Sequence, residues 1–196
     1  MPDTLAPTEA WRASITARIA AIDDMLDVAV ADLTLAQVNH VERAGVLPIA
    51  FSLIHVVGSQ DRSASRHLAD GAPTVWEDGG WAARVGVAGA LPFRGAPLAD
   101  AERTRFSDVD AWREYQTAVF ARTEHLLANV PLEVFSRDAF AGQRPDLGQN
   151  SFLSLFVPSG TIRVMDICEA YVFQHACRHL GEIEHARALV GLGGVS

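Results

Sequence analysis

A chain of 196 residues, 49% of them hydrophobic, is long enough to bury one sizeable core. Its formal net charge is −8 and it contains no lysine, which argues against a general nucleic-acid binder, since such a surface must be positive to replace counterions. The longest largely apolar run, Leu47 to Gly58, is too short to span a bilayer, and the polar start MPDTLAPTEAW lacks the basic-then-apolar pattern of a secretion signal, so the expectation is a cytoplasmic protein without a membrane segment.

Four segments carry helical periodicity. The first is expected over about 7–30, where Pro7 can open it and Trp11, Ile15, Ile19, Ile22 and Leu26 recur every three or four residues. Asp23, Asp24 and Asp27 near its end suit a solvated face better than a metal cluster. The second is expected over about 48–68. Its first half, PIAFSLIHVV, is apolar on nearly every side and should be deeply buried. Its second half, SQDRSASRHL, is polar and should emerge toward solvent.

The third helix is expected over about 108–129, with Trp112, Tyr115, Val119 and Leu126 on one stripe and Pro131 as its stop. The fourth is expected over about 161–190, capped by Ser159 or Thr161 and ended by Gly191, Gly193 and Gly194. Strand signals are weak: Val85 to Phe93 and Phe152 to Val157 are short and interrupted. The fold expected is all-α, a four-helix bundle forming one domain over 1–196, with two long connecting loops at 69–107 and 130–160. Loops of that length often carry function. Trp76, Trp81 and Phe93 in the first of them suit packing over the bundle or lining of a pocket.

Cys168 and Cys177 stand nine residues apart on one helix, about 13 Å along its axis, too far for a disulfide within it. They read as buried or free thiols. Of the seven histidines, His175 and His179 are separated by one helical turn and project from one face, a suitable spacing for two imidazoles on one metal ion. That face also carries Met165, Cys168, Val172, Glu182, Ile183 and Ala186. His55 interrupts the apolar half of the second helix, where a ring without a partner is costly. Its neighbours on the helix are Phe51, Ser52, Gly58, Ser59 and Arg62.

Three histidines on two helix faces form a candidate open metal site. His40, His67, His125 and His185 read as surface or structural residues. Cys168 lies about 10 Å before His175 along the helix axis, too far to join the ligands. One Glu-x-x-His motif, Glu182 to His185, occurs without a second copy, so the di-iron pattern is not met. The zincin motif, P-loop, dinucleotide fingerprint and nucleophile elbow are absent.

These residues resemble the DinB-like superfamily, helical bundles that include thiol-dependent transferases and mycothiol-dependent maleylpyruvate isomerase. Pro48-Ile-Ala-Phe-Ser-Leu-Ile-His55 is similar to its first ligand region. His175-Ala-Cys-Arg-His179-Leu-Gly-Glu-Ile, followed by Arg, Leu and Gly, is similar to its closing signature. Together with helix order and length, the resemblance spans nearly the whole chain. It implies a four-helix bundle with one divalent metal held by His55, His175 and His179, and a homodimer. It also implies a low-molecular-weight thiol such as mycothiol or bacillithiol as cosubstrate in some members. Larger members carry a C-terminal domain that has no counterpart in this sequence, which stops eleven residues after His185.

Three functions are weighed. In the first, a metal-dependent enzyme activates a thiol for transferase or isomerase chemistry on a small molecule, with Arg62 as the first candidate to bind a carboxylate substrate or acidic thiol, then Arg94 and Arg84. In the second, a hydrolase uses water, and Glu182, one turn beyond His179, acts as general base, orients a ligand, or packs toward a dimer partner, the second of these favoured. In the third, the metal is held by a non-catalytic binding or stress protein. Imidazoles suit zinc, nickel, iron and copper alike; the ion expected is zinc or nickel, with iron next.

Overall fold

A computed structural model describes residues 5–87, 97–147 and 151–195, with side chains from Pro7 onward. Its first long helix is α1 (Leu5–Ala31), followed by the short α2 (Leu35–Val38). Then comes α3 (Ile49–Ser63), which runs on as a π-helical stretch over Ala64–Leu68. The short α4 (Val75–Asp78), α5 (Trp81–Val85) and α6 (Leu98–Ala101) belong to the first long connection. The third long helix is α7 (Val109–Asn129), and α8 (Leu132–Ser136) and α9 (Phe152–Phe156) belong to the second connection. The chain closes with α10 (Val164–Ile167), a π-helical stretch over Cys168–Gln174 and α11 (His175–Leu189), one continuous rod.

The four long helices form a ring of neighbours: α1 packs on α7, α7 on α3, α3 on α11, and α11 on α1. Leu26, Leu53, Trp112 and Ile183, one from each helix, meet in the main core. A second cluster joins Ile15 and Ile19 of α1 to Leu127, Phe135 and Val172. The protein is thus an all-α four-helix bundle, as the hydrophobic periods require. No helix among the described residues is long and apolar enough to cross a membrane. Local chemistry sets the starts of the long helices. The Asp108 carboxylate accepts from the Asp110 and Ala111 amides at 2.9 Å and caps α7, and Pro48 stands just before α3.

Four expectations need correction. The polar half of the second helix does not emerge toward solvent: Gln60, Asp61, Ser65 and His67 are all buried. The cause is the first long connection, which folds back over them. Asp61 accepts from the Val75 and Trp76 amides at 2.9 and 3.0 Å and from the Tyr115 hydroxyl at 3.1 Å, so one buried carboxylate caps α4 and ties it to α7. Asp23 is likewise buried at 6% exposure rather than solvated, because Gln60 of α3 donates to it at 3.0 Å across the helix interface.

Phe152 to Val157 is no strand: the Ser151 hydroxyl accepts from the Ser154 amide and starts α9. Val85 closes α5, and the rest of the other strand candidate, with Phe93, extends beyond the described residues. Among the described residues there is no strand, only an isolated bridge between Asp138 and Arg163. Trp81 is buried and Trp76 packs edge-on against Tyr115, so these two indoles serve packing.

The fourth correction is a matter of helical phase. A π turn holds more residues than an α turn, so each such stretch rotates the residues beyond it relative to a regular helix. Over Cys168–Gln174 this separates Cys168 and Val172, both in the second core cluster, from the partly buried His175 and His179 that a regular α period would place on the same face. Cys168 is a core thiol, pushed by burial up to about 12, and Cys177 is exposed.

Candidate metal centre

The α3 helix is buried on most sides but leaves one stripe open, Phe51, His55, Ser59 and Arg62, at helical spacing. His55 is therefore half-buried, not sunk in the core, and faces the start of α11 across the bundle edge. There His175 and His179 stand one turn apart. The three rings meet through the same atom: His175 Nε2 lies 3.2 Å from His55 Nε2 and 3.0 Å from His179 Nε2. Among the described residues, this is the group of His, Cys, Asp or Glu whose ligand atoms all fall within 4.8 Å of one another.

The surroundings fix each ring. Phe51 stacks on His55 with ring centres 5.6 Å apart and planes 10° from parallel. His179 Nδ1 lies 2.7 Å from a Glu182 carboxylate oxygen. A carboxylate only accepts, so His179 Nδ1 is the protonated nitrogen and its Nε2 presents a lone pair to the centre. His179 in turn holds the Glu182 carboxyl below its usual range. Burial, reinforced by His179 and His55, pushes His175 down to about 3, so its ring is neutral at physiological pH.

A hydrogen-bonded set does not satisfy this arrangement. An imidazole nitrogen carries either a proton or a lone pair. With His179 Nε2 an acceptor, one proton on His175 Nε2 would have to serve both neighbours at once. A cation would face three lone pairs instead. Nitrogens each about 2.1 Å from one ion lie about 3.0 Å apart at right angles and about 3.4 Å apart at tetrahedral angles. The observed separations fall between those values, and the donor set fits a divalent metal.

Of the other residues the sequence singles out, Glu182 contacts the cluster through His179. Arg62 lines a cleft one turn past Ser59. Arg84 is turned elsewhere, packed over the Trp81 ring at 3.6 Å and paired with Glu114. Arg94 lies outside the described residues. His40, beside Glu42, and His125, beside Asn129, are exposed, as is His185. His67 is buried, edge-on to Phe140, and burial lowers it to about 4. Arg187, the arginine of the closing signature, is buried and clamps Asp32 and the Ala29 and Gly193 carbonyls, a structural tie between α11, α1 and the C-terminal segment. The π-helical stretches and the cleft residues Arg66, Phe140 and Tyr171 have no signal in the sequence.

No protein-family model matches the chain, and no curated protein sequence matches it. A solved structure does: a conserved protein from Enterococcus faecalis is similar in fold, with a TM-score of 0.70, over 90% of this chain and 94% of its own, at 14% identity. At that identity the likeness speaks to the fold alone.

Proposed function

We propose that the protein is a metal-dependent enzyme in which His55, His175 and His179 hold one divalent ion, zinc or nickel first and iron next, and in which a low-molecular-weight thiol such as mycothiol reacts with a small-molecule substrate in transferase or isomerase chemistry. The observation that carries the metal reading is the meeting of three Nε2 atoms, with His175 Nε2 at 3.2 Å from His55 and 3.0 Å from His179, where a single proton would have to be shared between two neighbours. When bound, such an ion would supply a Lewis acid that makes a thiol nucleophilic at neutral pH.

The chain's own residues prepare the site. Glu182 orients His179 and raises its basicity, Phe51 restrains His55, and burial keeps His175 unprotonated, as a ligand must be. The thiol comes from the family resemblance; a hydrolase would draw on the same metal, which would make a bound water nucleophilic as well, with the Glu182 carboxylate, engaged by His179, orienting that ligand. The bundle is consistent with the resemblance to the DinB-like superfamily; that resemblance implies a single domain and a homodimer, which sedimentation would report as twice the 21.1 kDa chain mass.

Elemental analysis of protein purified without a histidine tag tests the metal: about one divalent ion per chain is expected. A screen of thiols with electrophiles, with and without chelator, tests the chemistry. Thiol consumption that stops on chelation supports it; metal-loaded protein inert toward every thiol tried removes the thiol reading.

A further inference from the structure

Beside the three histidines lies a cleft of about 630 Å³, the size of small-molecule sites. It begins one turn away on both helices: Ser59 follows His55 on α3, and Tyr171 precedes His175 on the facing π-helical stretch. One wall carries two guanidinium groups, the partly buried Arg62 on α3 and the exposed Arg66 on the π-helical continuation. The Arg66 guanidinium sits over the Phe140 ring at 5.6 Å, a placement that leaves its edge available to a planar anion.

The lining of this cleft carries more basic than acidic side chains. The one acid in its lining, Glu77, is held in the capping box of α4, accepting from the Thr74 amide and hydroxyl at 3.0 and 2.9 Å. Two arginines and one committed carboxylate line it, and the buried Asp61 that faces Arg62 is itself engaged by the Val75 and Trp76 amides and the Tyr115 hydroxyl. A recess of this kind concentrates anions.

We propose that this cleft binds the acid group of a small organic anion through Arg62 and Arg66, with the rest of the molecule directed along Ser59 and Tyr171 toward the three histidines. The bound group is an oxyanion, a carboxylate or a phosphate. Arg62 lies about two turns, or on the order of 10 Å, from His55 along the helix, so the acid group and the reacting atom belong to one small molecule that spans that distance. The direction of the substrate rests on the metal reading; the binding of the anion does not.

The test is calorimetric titration of the full chain with succinate and, separately, inorganic phosphate, on protein whose metal content has been measured by elemental analysis. Saturable binding of one ion per chain is expected, tighter for succinate if the site is made for carboxylates and for phosphate if it is made for phosphate esters. Arg66→Gln, at an exposed side chain, and Arg62→Lys, which keeps the charge but loses the planar fork, should each weaken binding tenfold or more. His175→Ala should lower metal content while changing anion affinity less than about twofold, so the two readings fail separately. The proposal is overturned if neither probe binds below about 10 mM. It is also overturned if His175→Ala abolishes binding while both arginine variants keep it, because the anion then sits at the histidines. Arginine Nε–H shifts in nuclear magnetic resonance give a second readout: movement of the Arg62 and Arg66 signals on titration supports the cleft, and unmoved signals in a protein that binds the anion place it elsewhere.

Discussion

His175 and Asp23 are both titratable side chains pressed into the same bundle, and burial shifts each toward its neutral form: His175 down to about 3, Asp23 up to about 8. Their surroundings differ. Around His175 three nitrogens from two helices converge on a common point at the open edge between α3 and α11, with Glu182 holding one ring from outside. Around Asp23 a single partner, Gln60, donates across the interface of α1 and α3, and Asp23, Asp24 and Asp27 do not bring their oxygens together within ligand range.

The polar atoms left over differ in the same sense. Asp23 Oδ1 and Gln60 Oε1 are buried acceptors without partners among the described residues, and one proton on the Asp23 carboxyl supplies the missing donor. The histidines need more than a proton. Burial of polar groups is thus common to both regions; convergence of lone pairs on an accessible point is what distinguishes a site for a ligand from a structural pair.

The largest effect separating the two regions should come from the ligands themselves. His55→Ala, His175→Ala or His179→Ala should each weaken zinc affinity at least a hundredfold, whereas Asp23→Asn should leave it unchanged; competition with a chromophoric chelator reads both. Loss of metal in Asp23→Asn would break the comparison. Next in size is Glu182→Gln, which keeps the shape but weakens the hold on His179 Nδ1. A ten- to hundredfold loss of zinc affinity is expected, the scale typical of outer partners of ligating histidines. An unaffected affinity would remove Glu182 from the site.

Asp23 should appear in stability instead. Its folded pKa of about 8 stands above its ordinary value of 3.8, so between those values the folded chain holds a proton the unfolded chain has released. Its contribution to stability is therefore fully present below about pH 4 and is lost as pH rises toward 8. Asp23→Asn, whose amide can both donate to and accept from Gln60, should melt higher than the parent at pH 8, with a gap that narrows toward pH 5. Parallel melting curves across that range would contradict the neutral-acid reading. The smallest effect is none: His185→Ala, on an exposed face of α11, should hold metal like the parent.

Much of this contrast was legible in the sequence, for physical reasons. Apolar residues at helical spacing define all four long helices, because each must bury one stripe. The spacing of His175 and His179, with His55 in an apolar helix, singles out the residues that do meet. What periodicity misses is contact between elements distant in sequence. Asp61 and Gln60 look solvated until the first long connection and α1 supply their partners. The π-helical stretches shift helical phase without a compositional mark, so a regular period puts Cys168 on the face of the histidines, and the cleft lined by Arg66, Phe140 and Tyr171 could not be read. Loop residues such as Phe140 enter it only through the folded path of the second connection.

The central claim is that three imidazoles hold one ion. Tag-free parent protein and the His175→Ala variant, expressed in medium containing zinc, nickel and iron and passed through the same desalting steps, would be compared by elemental analysis. The account predicts close to one divalent ion per chain in the parent and a near-complete loss in His175→Ala, with the variant still helical by circular dichroism. Equal metal content in the two, whether near zero or near one, would contradict it.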